Sequence, residues 1–468
     1  MTVALLIDFG STFTKLRAVD LDSASIIGTG QGPSTVATDV TEGLTVALGD
    51  LESHIGGLPD FKHRLACSSA AGGLAMVTVG LVRELTAEAA RQAALGAGAK
   101  LVGTFSHGLT ASDITEIEDL NPDILLLAGG TDGGNAEVIS GNADKLAASA
   151  VACPIVVAGN REAADAVAGV LRGAGKLVTV TENVMPEFGE LNVEPARAAI
   201  RTVFIDRIVH AKGIDKAAQM FDAVLMPTPA AVLDAAKLLS EGVEGKAGLG
   251  PLLVVDVGGA TTDVHSVASG APTLEGVIAH GLPEPYLKRT VEGDLGMRLN
   301  ASTITEAAGL RVVADQAGVS RGRAQEILDA IAGDVERLPK VDDEARFDQA
   351  LARAAVDAAV TRHAGRLSIV QTVTGPVSMQ NGKDLSAVET IIGTGGVLAH
   401  STQESGGAGQ ILSAGLADAG RPQHLKPKAP KLLVDGEYVL YACGLLAAVE
   451  PEAALTFGLA HMHGVAEV

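Results

Sequence analysis

Tryptophan is absent from this 468-residue chain, and aromatic residues make up only 3% of it. Its core must therefore be filled with Val, Leu, Ile and Ala. Cysteine is almost as scarce. Cys67, Cys153 and Cys443 lie far apart and no CxxC pair exists, which argues against a zinc site or a disulfide framework and for a reducing compartment. Positive charge is in deficit, with a formal net charge of −21. Nucleic acid and anionic membrane reward clustered Lys and Arg, so neither is expected as the main partner. No stretch approaches the roughly 18–20 uninterrupted apolar residues of a membrane span. The apolar run near the N-terminus is too short for a secretion signal and has no basic leader, so a cytoplasmic location is expected.

What remains is globular in character, with 47% hydrophobic and 19% charged residues. The length exceeds what one hydrophobic core usually serves. The sequence suggests a first domain over residues 1–226, a second over 227–437 and a closing helix over 438–468 that packs back on the first. Val3–Ile7 reads as a buried strand, a turn follows, and Lys15–Asp20 alternates as the returning strand. Leu252–Val255 and Val264–Ala268 repeat that layout about 250 positions later. Helices are expected over Thr38–Glu52, Gly80–Leu95 and Arg161–Leu171, and in much of 301–366. Another is expected after Met226, where Pro227-Thr228-Pro229 suits a helix start. Glu241–Gly250 reads as a surface loop. Strands alternating with helices indicate an α/β chain. Each acidic loop is followed, over a hundred residues on, by a Gly-rich turn: Ala128–Gly134 in the first half and Gly393–Gly396 in the second. Two such halves suggest a ligand cleft between them.

The loops themselves suit a polyphosphate. Asp8-Phe9-Gly10-Ser11-Thr12 and Asp256-Val257-Gly258-Gly259-Ala260-Thr261-Thr262-Asp263 are tight turns rich in Gly, Ser and Thr. Such turns bring backbone N–H groups close to phosphate oxygens, and Ser11, Thr12, Thr261 and Thr262 add hydroxyl donors. Asp8 and Asp256 would repel phosphate unless a cation lay between, which points to Mg²⁺ held at Asp8 and Asp256. One of Asp8, Asp256 and Asp263 can orient or deprotonate an attacking water or hydroxyl. Lys15 can pair with a terminal phosphate, and Gly393-Thr394-Gly395-Gly396, opening a helix, can lie against the adenosine or α-phosphate of ATP. No GK[ST] P-loop accompanies the first loop. Glu292 and Asp294 read either as solvated loop acids or as a pair that helps place metal or water. Asp132 reads as a turn residue or a further acid of the site. His461 and His463 read as a tail.

In order, these segments resemble the actin/Hsp70/hexokinase ATPase superfamily. Asp8–Lys15 is similar to its first phosphate motif and Met226–Leu238 to its first connecting helix. Leu253–Val264 resembles the second phosphate motif. Ile391–His400 resembles the adenosine motif, with GTGG in place of the usual GG[ST]. Tyr441–Ala448, with Gly444 at the contact, resembles the second connecting helix. The resemblance implies a two-domain actin-like ATPase built from duplicated ribonuclease H-like domains with a nucleotide cleft between them, binding ATP and Mg²⁺. Leu126–Asn135 and Arg289–Arg298 are further similar to signatures of the glutamate mutase accessory family, called GlmL or MutL and distinct from the mismatch-repair MutL. That resemblance implies an ATP-driven accessory or reactivating chaperone for an adenosylcobalamin-dependent mutase. A homo-oligomer is a separate expectation. The alternative on the same scaffold is a small-molecule kinase. No DxHxxG pattern is present, so the cobalamin itself is not expected on this chain.

Overall fold

The computed structural model describes residues 1–10, 13–35, 39–69, 74–211, 220–373, 375–401 and 407–465. The chain divides into two compact units. One comprises Met1–Ala235, Gly281–Pro285 and Tyr441–Phe457, and the other Ala236–His280, Tyr286–Leu440 and Gly458–Val468.

The first unit begins with β1 (Val3–Phe9), β2 (Phe13–Asp20) and β3 (Ser25–Pro33), an antiparallel meander. Helix α1 (Val40–Ile55) follows, capped by the Asp39 side chain, and then β4 (Phe61–Ser68), which runs parallel to β1. Next come five strands, β5 (Leu74–Gly80), β6 (Ala99–Ser106), β7 (Ile124–Leu127), β8 (Ile155–Val157) and β9 (Val178–Val180). They alternate with helices α2 (Glu88–Gly96), α3 (Ala111–Leu120), α4 (Glu137–Ala148) and α5 (Arg161–Gly173). They form their own all-parallel sheet, in the order β6-β5-β7-β8-β9. After α6 (Glu194–Ala211), β10 (Ala223–Pro227) returns to the first sheet beside β4, and α7 (Thr228–Glu241) begins. The first sheet thus has the order β10-β4-β1-β2-β3. β1 lies between two neighbours at its centre, which explains why Val3–Ile7 is apolar without alternation. One hydrophobic core joins the two sheets: Leu5, Ile7 and Phe9 belong to the same buried cluster as Met76, Ile124 and Val156.

The second unit opens with a small hairpin, β11 (Gly242–Val243) and β12 (Lys246–Ala247), where the sequence suggested a loop. β13 (Leu252–Val257), β14 (Thr262–Val267) and, after the short β15 (Val277–His280), β16 (Leu287–Glu292) form an antiparallel meander. Helices α8 (Ala301–Ala308), α9 (Leu310–Ala317), α10 (Arg321–Gly333) and α11 (Asp342–His363) follow, then the hairpin β17 (Arg366–Thr372) and β18 (Gly375–Asn381). β19 (Thr390–Thr394) pairs parallel with β13. Beyond α12 (Gly396–Ala399) and α13 (Gly407–Ser413), β20 (Lys431–Asp435) pairs parallel with β19. The order is β16-β14-β13-β19-β20-β21, the last strand being β21 (Met462–Gly464). His461 and His463 therefore flank and enter an edge strand, where the sequence suggested a tail.

Numbered within each unit, both main sheets read 3-2-1-4-5, with strands 4 and 5 parallel to strand 1. This is the ribonuclease H-like arrangement in duplicate, and the chain is an α/β protein of two such folds. One expected correspondence is corrected. The strand equivalent to β19 is β4, because each pairs with strand 1 of its sheet. The Ala128–Gly134 turn instead closes β7 of the separate parallel sheet. Apolar strands ending in Gly-rich turns recur in any parallel sheet, and only the pairing tells them apart. The expected helix over Gly80–Leu95 also begins late: Gly80 ends β5, and a π-helical turn at Arg83–Ala87 leads into α2.

Candidate phosphate-loop site

In the first unit, Asp8 stands on β1 opposite Lys15 on β2 and beside Cys67 on β4. Gly10 N–H donates to Phe13 O at 3.0 Å, which closes the hairpin turn. A Cβ on Gly10 would lie 2.6 Å from that same oxygen, so only glycine fits. Ser34 Oγ donates to Gly10 O at 2.7 Å and anchors the turn from β3's end. Ser11 and Thr12 lie outside the described residues. The Asp8 carboxylate accepts from Thr228 Oγ1 at 2.6 Å and from Cys67 Sγ at 3.6 Å. Burial raises the Asp8 pKa above the usual carboxylate value, and the Thr228 bond and the charge of Lys15 oppose that rise only in part. Burial likewise pushes the Cys67 thiol far up, and the neighbouring Asp8 charge adds to it. Thr228 and Cys67 were not anticipated. The signal for Thr228 is its place directly after Pro227, at the first residue of α7.

The second unit repeats the turn. Asp256 holds on β13 the place of Asp8 on β1, and Gly258 N–H donates to Thr261 O at 2.9 Å, the same bond three residues on. A Cβ on Gly258 would lie 2.9 Å from that oxygen. Gly259 has room: a Cβ there would touch only Arg298. The loop is held from behind. Met297 N–H donates to Gly258 O at 3.0 Å, and Arg298 and Leu299 N–H donate to Gly259 O at 2.8 and 3.0 Å. The two hydroxyls expected to meet phosphate serve the loop as it stands. Thr261 Oγ1 donates to Asp263 Oδ2 at 2.9 Å, and the buried Thr262 donates to Leu295 O at 2.7 Å.

Asp263 is buried and held by Arg289, whose Nε and Nη2 donate to Oδ1 at 3.1 and 2.7 Å. Glu292 ends β16, and Asp294 follows it. Both accept from Arg362, at 2.7 Å to Glu292 and at 2.7 and 2.9 Å to Asp294. Arg362 holds the Asp294 carboxyl below its ordinary range, while burial raises Glu292. The pair is thus an Arg-centred ion cluster. Asp132 accepts from Arg161 N–H and Asn183 Nδ2, at 3.0 and 2.9 Å, and so ties its turn together. Among the described residues, no group of three or more His, Cys, Asp or Glu is arranged to hold a metal ion.

The Gly393–Gly396 turn lies against the second loop. Thr394 is the β19 neighbour of Asp256. Gly395 has a φ of +105°, and a Cβ on it would lie 2.3 Å from Val257 O. Thr394 Oγ1 donates to the buried Asp435 at 3.2 Å. Asp435 also accepts from Val439 and Leu440 N–H, at 2.8 and 3.1 Å, and caps α14 (Leu440–Ala447). Asp435 was not anticipated; a carboxylate at a strand end just before a helix start is its signal. Gly444 on α14 crosses α7 so closely that a Cβ would lie 1.9 Å from Ala231 O.

Two acid-bearing glycine turns closed by the same hydrogen bond, each joining strands 1 and 2 of a ribonuclease H-like sheet, define the duplicated actin-type fold. A family described as MutL protein matches residues 4–461, and the chain belongs to that family. Protein MutL of Clostridium tetanomorphum is 47% identical over 456 residues, covering 97% of this chain and 98% of the relative. Among solved structures, component A of (R)-2-hydroxyglutaryl-CoA dehydratase from Acidaminococcus fermentans matches at 11% identity and a TM-score of 0.30, over 98% and 99% of the two chains. The activator of 2-hydroxyisocaproyl-CoA dehydratase from Clostridium difficile, with bound ADPNP, matches at 9% and 0.33, over 97% of each. Superpositions this loose carry no weight for site or activity.

Proposed function

We propose that this protein binds and hydrolyses ATP with Mg²⁺, and that it serves an adenosylcobalamin-dependent mutase of the glutamate mutase type as an accessory or reactivating protein in the cytoplasm. The observation that carries the ATP half is the repeated turn: Asp8-x-Gly10 and Asp256-x-Gly258 with the same closing hydrogen bond. The mutase half rests on the family resemblance. Among the described residues no helix is long and apolar enough to cross a membrane.

The residues fit a magnesium-bound polyphosphate. Burial alone makes ionised Asp8 costly, and a cation beside it would remove that cost. At Gly259 a Cβ would meet only the Arg298 side chain, at ordinary contact distance. Magnesium-bound ATP would supply a γ-phosphoryl group open to attack. The Gly10 and Gly258 amides already close their turns, so the Gly259 amide would hold a phosphate oxygen, and Lys15 would add a positive charge. Asp8 and Asp256 would hold the metal's water shell and orient the attacking water. Asp263, fixed by Arg289 and Thr261, would position the second turn. The Gly393–Gly396 turn would lie against the adenosine. A kinase would need a carboxylate base; Asp263 and Asp294 are engaged by arginines, so that reading would rest on Asp256.

The test is Mg-ATP hydrolysis by the purified protein, with and without an inactivated cobalamin mutase, comparing wild type with Asp256→Ala. Absence of nucleotide binding would sink the ATP reading. Turnover that restores no mutase would remove only the partner. A phosphorylated metabolite would give the case to a kinase.

A further inference from the structure

A cavity of about 250 Å³ opens in the second unit at the end of the sheet opposite the phosphate turn. Its walls come from four stretches: residues 273–274, Leu367 on β17, Ser386, and the 417–428 loop that leads into β20. Backbone bonds tie these stretches together. Leu367 N–H donates to Gln423 O at 2.8 Å, Leu385 N–H to Leu425 O at 2.9 Å, and Ala417 N–H to Pro427 O at 2.8 Å. Thr273 and Ser386 are fixed to each other and to Asp384. The cavity is therefore formed in advance, which lowers the cost of binding.

Its lining is apolar with a cationic end. Leu274, Leu367, Pro422 and Leu425 supply the apolar part, and His424, Lys426 and Lys428 the polar part. Lys426 is only 2% exposed. Its ammonium donates to Asp357 Oδ1 at 2.8 Å and to Ala414 O at 2.9 Å. An ammonium has three protons, and the third has no acceptor among the described residues. Lys428 is exposed and has no ion-pair partner among the described residues. The one carboxylate of the lining, Asp418, is occupied by Gly420 N–H at 2.8 Å and Arg421 Nε at 3.3 Å. Burial, and after it the charges of Arg421, Lys426 and Arg366, lower the His424 pKa, with Asp357 opposing them in lesser degree. Lys426 and Arg421 are paired with Asp357, and Arg421 also with Asp418, so among the described lining residues the uncompensated charge is that of Lys428.

We propose that this cavity binds a small apolar group bearing one carboxylate, its body against Leu367 and Leu425 and its carboxylate at Lys426, His424 and Lys428. The volume is below the range of drug-sized ligand pockets, so the occupant is about the size of one amino-acid residue. Two sources share that chemistry: a free small organic acid and the C-terminal residue of a protein. The site is independent of the ATP reading.

The experiment titrates 3-phenylpropionate and its uncharged alcohol, 3-phenylpropanol, into the full chain by calorimetry and ligand-observed NMR. Short peptides ending in Phe, with a free or an amidated C-terminus, form the second arm. The acid is expected to bind saturably and the alcohol at least about tenfold more weakly. Lys428→Glu should weaken the acid by about tenfold, and Ala419→Phe, which fills the exposed mouth, should abolish binding. Both variants should keep the wild-type circular dichroism spectrum and melting temperature, and Asp256→Ala should bind the acid as wild type does. Tighter binding of the free-ended peptide than of the acid assigns the site to a protein terminus; no gain from the peptide assigns it to a free acid. No saturable binding in either arm, or binding indifferent to probe charge and to both substitutions, overturns the proposal.

Discussion

Asp8 is held in a state that works against folding. Its pKa is raised, so the folded unit prefers the protonated acid. That contribution to stability is full below the ordinary carboxylate pKa and is lost as pH rises through the raised folded value. At neutral pH the ionised carboxylate is therefore a liability of the empty protein. Asp8→Asn keeps an acceptor for Thr228 and removes the charge. It should raise Tm by a few degrees at neutral pH, and the gain should vanish in acid, as thermal scans across pH would show. On the proposed function Mg-ATP should stabilise wild type, and the same variant should lose that stabilisation. That stabilisation should reach about 2.7 kcal/mol at a hundredfold excess over Kd. Gly395 offers a contrasting case. An alanine there meets Val257 O at 2.3 Å in a left-handed backbone, so Gly395→Ala should cost roughly 1–3 kcal/mol in denaturant titrations.

At the scale of elements, two arginines that look alike in sequence differ in their surroundings. Arg289 and Asp263 are both buried between β14 and β16, whereas Arg362, itself exposed, reaches the partly buried Glu292 and Asp294 from the end of α11. Arg289→Met leaves a buried carboxylate uncompensated and should cost about 3–5 kcal/mol, most of it recovered when Asp263 is also made apolar. Arg362→Ala should cost about 1 kcal/mol or less. Double-mutant cycles read by chemical denaturation would separate the two. The same contrast explains what was legible in advance. The two hairpins stood out because a buried strand, an Asp and a Gly turn are local features. So was the helix after Pro227. The partners of those loops were not legible. Asp8 meets Thr228 across 220 positions and Thr394 meets Asp435 across 41, and nothing local records such pairings. Ala128–Gly134 was matched to the wrong turn for the same reason. Glu292 and Asp294 read either as loop acids or as a pair placing metal or water because Arg362, some seventy positions on, is invisible to a local reading.

At the scale of the whole molecule, the five-stranded parallel sheet is part of the first unit's core and not an appendage. Leu5 and Phe9 of β1 share one buried cluster with Met76 and Ile124. Native-state hydrogen exchange should therefore give the slowest amides of β1 and β7 one common opening free energy. Distinct values, separated by more than about 1–2 kcal/mol, would show that the sheets open apart. Excising residues between β4 and β10 should unfold the unit, because it strips the cover from that cluster.

Cys67 also gives experimenters a gauge that needs no label to be engineered in. All three cysteines are buried, and the Cys67 thiol is kept protonated beside Asp8. A thiolate-seeking reagent finds nothing to attack while β1, β4 and the start of α7 stay together. Each modification of Cys67 therefore records one separation of those three segments, and the labelling rate counts them in real time at the carboxylate the nucleotide is proposed to meet.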